Sequence, residues 1–236
     1  MKNRFLITSA INSRFGAISL NDRMVQTYFT IDSIKKYAPG AEITLIDMCG
    51  DPLTSDQVKS IETNGADVVI YNDENVQKIY KIESQDIVKN LTEMMCFGDY
   101  LNRNEFFDED RVFKISGRYT LNENFKPEEY TAYLSGHIVF SGKHNSQFPP
   151  EVTGNKPDDN YQYMSRLWSF SPKLHLNMVR NAYFKMANHM VERLNAGGYI
   201  DIEHLLYQHM PKDEIAFKIP SGLTGFIAPN KQQIND

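Results

Sequence analysis

Residues Glu42 to Tyr71 read EITLIDMCGDPLTSDQVKSIETNGADVVIY, and this stretch decides the fold. Its first six residues, EITLID, form a short aliphatic run of strand length. Ser55–Asn64 has the spacing of a polar-faced helix, and Asp67–Tyr71 (DVVIY) returns to β-branched, strand-like sequence. A strand, a helix and a strand in that order require a crossover, so the two strands are expected side by side and parallel in one sheet.

Working outward, Arg4–Ala10 is a further buried strand. After it, Ser19-Leu-Asn-Asp22 supplies an S-x-x-D helix start, with Leu20, Met24, Tyr28, Ile31 and Ile34 at helical spacing before the Pro39-Gly40 stop. On the other side, Ser84–Leu101 reads as a helix and Arg111–Ser116 (RVFKIS) as the fourth strand. Tyr130–Ser141 holds an apolar run that adds a strand, joined by Leu167–Phe170 in a more antiparallel region. His175–Leu194 is a long helix stopped by Gly197-Gly198, and Ile200–Met210 a shorter one ended by Pro211. The segment 142–160 is rich in Pro, Asn, Gly and Asp without apolar period and is expected to be a loop of lid type. The tail, Ile219–Asp236, is expected to pack as irregular chain. The whole reads as one α/β domain, 1–236: a Rossmann-like, mostly parallel central sheet with helices on both faces and a smaller antiparallel region.

Composition excludes several functions. Of 236 residues, 41% are hydrophobic and 23% charged, enough to bury a core, and the formal net charge of −5 without a basic run argues against nucleic-acid binding. No apolar run reaches the roughly 20 residues of a membrane helix, and the start, MKNRFLITSAINSRF, does not resemble a signal peptide, so a cytoplasmic location is expected. Cys49 and Cys96 have no metal-site spacing and are expected to be reduced, partly buried thiols.

In an open parallel sheet the ligand crevice lies beyond the carboxyl ends of the strands. That rule gathers Ser9 and Asn12 after the first strand, Asp47 after the second, and Gly117, Arg118 and Tyr119 after the fourth on one rim. Asp47 is placed to accept hydrogen bonds from a ribose or base edge, or else serves as a turn residue. Lys114, within an otherwise buried strand, needs an acidic partner or a bound anion, because an unpaired buried ammonium is costly. Gly117 permits close approach, and Arg118 presents a planar fork of donors suited to phosphate. Arg23 and Gln26, in the first turns of a helix that starts at the same rim, add further donors or are solvated. No G-x-G-x-x-G follows the first strand, which disfavours a dinucleotide cofactor.

These pieces resemble GT-A glycosyltransferases, which transfer sugar from a nucleotide-diphosphate donor, and in particular bacterial and viral glycosyltransferase-like proteins. The likeness rests on Arg23-Met-Val-Gln26-Thr27, on Lys114-Ile-Ser-Gly-Arg-Tyr119, on Glu203-His204 and on the Gly-x-x-Gly-x-Ile-Ala stretch Gly222–Ala228. It implies a nucleotide-binding half (1–125) and an acceptor-side half (126–236), with a nucleotide-sugar donor and a glycan or other hydroxyl acceptor as partners. Donor binding falls to Ser9, Asn12, Arg23, Asp47, Lys114, Gly117, Arg118 and Tyr119. Such enzymes hold Mn or Mg with an Asp-x-Asp at the end of the fourth strand, where this chain has Ser116-Gly117-Arg118. Asp108-Glu109-Asp110 falls before that strand and is expected to be a solvated turn, so no metal ligand is assigned. Arg118 and Lys114 are then expected to stabilise the leaving diphosphate. Glu203 is the candidate base, unless it only serves the helix dipole behind an Asp201 cap. His204 reads as a ligand, a base partner or a structural residue, and Trp168 as a sugar platform or core. The alternatives are a sugar nucleotidyltransferase or an inactive relative that only binds nucleotide or glycan.

Overall fold

The computed structural model describes residues 2–16, 18–227 and 232–235. In chain order the first half contains β1 (Asn3–Ser9), α1 (Leu20–Tyr37), β2 (Glu42–Asp47), α2 (Ser55–Thr63), β3 (Asp67–Ile70), α3 (Glu74–Tyr80), α4 (Gln85–Arg103), β4 (Arg111–Ser116) and β5 (Tyr119–Leu121). The second contains α5 (Pro127–Ala132), β6 (Ile138–Phe140), β7 (Lys143–Asn145), α6 (Pro150–Thr153), β8 (Tyr161–Tyr163), β9 (Leu167–Phe170), α7 (Pro172–Asn195), α8 (Ile202–His209), β10 (Ile215–Phe217), β11 (Leu223–Ile227) and β12 (Gln232–Asn235).

The central sheet runs β10-β6-β9-β4-β1-β2-β3. Every pairing is parallel except those of β9 with β4 and with β6, so one reversed strand sits inside an otherwise parallel sheet. Strand order reverses at β1, which lies between β2 and β4. Side chains alternate across the sheet as the two-residue period demands. Phe5, Ile7, Phe113 and Ile115 bury against α1 and the β5–α5 region, while Leu6, Val112 and Trp168 bury against α4, α7 and α8.

Local chemistry sets the helix starts that aim at the crevice. The Ser19 hydroxyl accepts the Asp22 amide at the start of α1, and Thr54 with Gln57 forms a capping box at α2. Asp73 accepts the Asn75 and Val76 amides and starts α3, a helix that periodicity over seven residues is too short to reveal. Among the described residues fully buried Arg111 has no carboxylate partner. Its guanidinium donates instead to the Leu134 and His137 carbonyls, each at 2.9 Å, and to the Ser169 hydroxyl, and burial lowers its pKa to about 10.

Two expectations for irregular chain are corrected. Segment 142–160 contains β7, which pairs antiparallel with β8, and the short helix α6. The tail contains β11 and β12, which form an antiparallel sheet with β5, while 228–231 and Asp236 lie outside the described residues. β7 (KHN) and β12 (QQIN) are short and mostly polar, with no apolar run to mark them, and β5, the second partner of β11, lies about a hundred residues earlier in sequence. Cys49 and Cys96 are buried free thiols. Among the described residues no helix is long and apolar enough to cross a membrane.

Candidate functional site

A cleft opens where strand order reverses. Its walls come from the ends of β1 (Thr8, Ser9) and β4 (Ser116, Gly117, Arg118), from α1 (Arg23, Gln26) and from α4 (Lys89, Glu93), with Met48, Phe15 and Tyr80 making an apolar end. This is the place the crevice rule designates for a ligand in a doubly wound sheet.

Arg118 reaches the cleft with its guanidinium free of any hydrogen bond or ion pair among the described residues. The guanidinium lies 5.8 Å from the centroid of the Tyr119 ring. Arg23 shares the wall. It donates to the Ala10 carbonyl at 2.8 Å and to the Phe15 carbonyl, which ties down the loop after β1 and leaves N–H groups to spare. Burial, and then the nearby Arg118 charge, lower the Arg23 pKa, so two cations face one cleft without a neutralising carboxylate bonded to either. Among the described residues Gln26 Oε1, buried in the same wall, has no hydrogen-bond partner.

Lys114 is fully buried, and its ammonium is spent internally. It pairs with Glu93 Oε1 at 2.5 Å and donates to the Ser165 carbonyl at 2.7 Å and the Ser116 hydroxyl at 3.0 Å. Three donors meet three acceptors, so the expectation that Lys114 grips a diphosphate is corrected: it holds Glu93 instead. Burial would raise the Glu93 carboxyl, but the Lys114 charge outweighs it and the group is lowered.

Several other expected donor-binding residues lie elsewhere. Asn12 is engaged with the Pro52 carbonyl at 2.8 Å and with the Gln57 amide, and is not in the cleft wall. Tyr119 is buried in the core behind β5, where its carbonyl accepts the Thr30 hydroxyl. Gly117 does line the cleft, yet its close approach is to β1: an added Cβ would meet Ile7 Cγ2 at 3.2 Å. Ser9 is in the wall. Asp47 is wholly buried beneath it, accepting the Ile11 amide at 2.9 Å, with Oδ1 unpartnered. Burial pushes its carboxyl up to about 7, opposed in part by the Ile11 amide, the neighbouring Ser9 hydroxyl and the Arg23 charge.

Glu203 does not line the cleft. It accepts the Ser165 hydroxyl at 2.6 Å, and the Ser165 carbonyl accepts Lys114, so Glu203 connects to Glu93 through Ser165 and Lys114. Burial, then Asp201, raise its carboxyl. Asp201 caps α8, accepting the His204 amide at 3.0 Å. His204 is held between Asp201 and the Ser146 hydroxyl, which makes it a structural clasp on the 142–160 segment. Trp168 is core, stacked on Phe140, Phe170 and Tyr183.

Asp108-Glu109-Asp110 sits at the amino end of β4, opposite the cleft, and is not wholly solvated: Glu109 is buried and accepts Arg4 Nε at 2.8 Å. Where an Asp-x-Asp would face the cleft stands an unpaired guanidinium, and the carboxylate of the cleft wall, Glu93, is bonded to Lys114. These residues do not fit a divalent cation, and among the described residues no three His, Cys, Asp or Glu side chains gather to hold one.

Sequence reasoning missed Glu93 and Lys89. Their one-turn spacing on α4 was the available signal, since Lys114 required an acid.

No family model and no curated protein matches this chain. Among solved structures it is similar to the galactosyltransferase LgtC in complex with donor and acceptor sugar analogs, at 11% identity and a TM-score of 0.56 over 92% of this chain and 73% of that one. An active-site mutant of LgtC aligns at 12% identity and a TM-score of 0.55, covering 92% and 72%. At such identity the likeness is one of fold: the chain has the GT-A-type α/β architecture of LgtC.

Proposed function

We propose that the chain transfers a sugar from a nucleotide-diphosphate donor to a hydroxyl acceptor, working as one domain with the donor in the cleft. The observation that carries this reading is the unpaired Arg118 guanidinium at the strand-order reversal, with Arg23 beside it. Diphosphate oxygens accept from this pair, and Ser9 and the buried Asp47 hold the loop that closes over the nucleoside. The apolar end, where Phe15 and Tyr80 ring centroids lie 6.0 Å apart, suits the flat faces of a base. The LgtC complex, with donor and acceptor sugar analogs, supports the same reading at the level of fold.

In the reaction the bond from the anomeric carbon to the diphosphate breaks and its electron pair leaves with the diphosphate, where Arg118 stabilises the charge. The acceptor oxygen forms the new bond and gives its proton to a base; the candidate is Glu203, which lies outside the cleft wall and is joined to its Glu93 through Ser165 and Lys114, and whose raised carboxyl has greater proton affinity than an ordinary glutamate.

The test is turnover on a panel of nucleotide sugars with common glycan acceptors. Wild type should release nucleoside diphosphate, and Glu203→Gln should lose about 100-fold or more in kcat with donor affinity unchanged. Since the base must be ionised, activity should fall as pH drops through a limb lying above the ordinary glutamate value. An active Gln variant removes Glu203 as base, and pyrophosphate-dependent turnover would instead mark a nucleotidyltransferase.

A further inference from the structure

Outside the cleft wall, Ser146, His204 and Asp201 stand in one hydrogen-bonded line. Asp201 Oδ1 lies 2.5 Å from His204 Nδ1, and His204 Nε2 lies 2.6 Å from Ser146 Oγ. His204 is fully buried, so its ring nitrogens answer to these partners rather than to solvent. The Asp201 carboxylate can only accept, which places the proton of a neutral imidazole on Nδ1 and leaves Nε2 a lone pair for the serine hydroxyl. The serine proton is free to turn there. Its other acceptor, the Phe148 carbonyl at 2.7 Å, also takes the Asn160 side-chain amide at 2.8 Å, so nothing is stranded when the hydroxyl donates to His204. The bonds that hold the 142–160 segment therefore set a hydroxyl, a base and a carboxylate in the order of a nucleophile, its base and the group that orients that base.

From this geometry we infer that Ser146 is an acylatable nucleophile at a second site that cleaves carboxylic esters, with His204 as its general base and Asp201 as the positioning residue. The inference goes beyond the transferase reading and does not depend on it. Ser146 is only partly exposed, which limits the acyl group to a small one, and the exposed Phe148 ring, its centroid 5.9 Å from that of His204, gives that group an apolar surface. Among the described residues the Gln147 amide, next to the nucleophile, has no partner and is the donor an oxyanion needs. Ser146 Oγ bonds to the carbonyl carbon while its proton passes to His204 Nε2. The bond from that carbon to the alcohol oxygen then breaks, and the alcohol leaves with the proton from His204. Water attacks the acyl-serine and gives a proton to His204, which returns it to Ser146 Oγ as the carboxylic acid departs.

The experiment treats the full chain with a fluorophosphonate and, separately, with p-nitrophenyl acetate, and maps the adducts by peptide mass spectrometry. Wild type should carry both adducts on Ser146, and Ser146→Ala should lose the fluorophosphonate label altogether. Asp201→Asn keeps a residue able to cap α8, yet should slow labelling by about 100-fold or more, a loss that a purely structural role would not produce. Removing buried His204 endangers the fold, so the base is read through Ser146→Cys instead. Its thiol should be alkylated by iodoacetamide along a pH limb well below the ordinary cysteine value of about 8.5. An unlabelled Ser146 in wild type, labelling at the wild-type rate in folded Asp201→Asn, or an ordinary thiol limb in Ser146→Cys overturns the inference. None of these results bears on sugar transfer, so the two readings fail separately.

Discussion

Lys114 shows what a single residue reveals before and after folding. A lysine inside RVFKIS demands a partner on energetic grounds alone, and that demand was readable; whether protein or ligand meets it was not, because the answer, Glu93, lies on a helix whose reading was governed by its apolar side. Lys114→Met should cost about 3–5 kcal/mol in chemical denaturation by stranding the Glu93 charge, and the double variant with Glu93→Gln should recover most of that loss. Asp47 offers a pH test. Its carboxyl is raised from the ordinary range to about 7, so the folded state binds a proton more tightly than the unfolded chain, and the stabilisation present at low pH is lost as pH rises toward and through 7. Asp47→Asn should flatten that fall between about pH 4 and 7, and an unchanged slope would show that Asp47 is not its source. Arg118 was legible by type and place, Asn12 and Tyr119 by place alone: being next to a strand end does not say whether a side chain turns toward the cleft, the core or a neighbouring cap.

At the scale of elements, the first 71 residues were nearly transparent because each strand is long enough to show its character and the helices begin at Ser19 and Thr54 caps. The short strands β7, β11 and β12 were opaque. The Gly-x-x-Gly resemblance in the tail now has a packing cause: Gly222 has φ +78° and an added Cβ would lie 2.2 Å from the Phe125 amide nitrogen, while one at Gly225 would lie 2.4 Å from the Tyr119 ring. Both glycines let β11 pair with β5, the strand that directly follows Arg118. Gly222→Ala should therefore destabilise the protein by more than the roughly 1 kcal/mol of a left-handed site alone, with limited proteolysis cutting the tail early. A wild-type digestion pattern would refute that docking. The 142–160 segment, for its part, is tied to α8 by the Ser146 hydroxyl on His204 and the Tyr207 hydroxyl on Asp159, contacts between residues no local pattern joins.

For the whole molecule, the sheet order with its reversal at β1 determines where chemistry sits, and the walls of the cleft determine what kind. The architecture is like that of LgtC, and the β4 end offers a guanidinium to the cleft. The proposed transfer requires that guanidinium to anchor a nucleoside diphosphate. Equilibrium titration of wild type, Arg118→Ala and Asp108→Ala with UDP and with GDP tests it directly. Arg118→Ala should weaken nucleotide binding by about tenfold or more while Asp108→Ala stays within about twofold; equal affinities in the two variants would rule the anchor out.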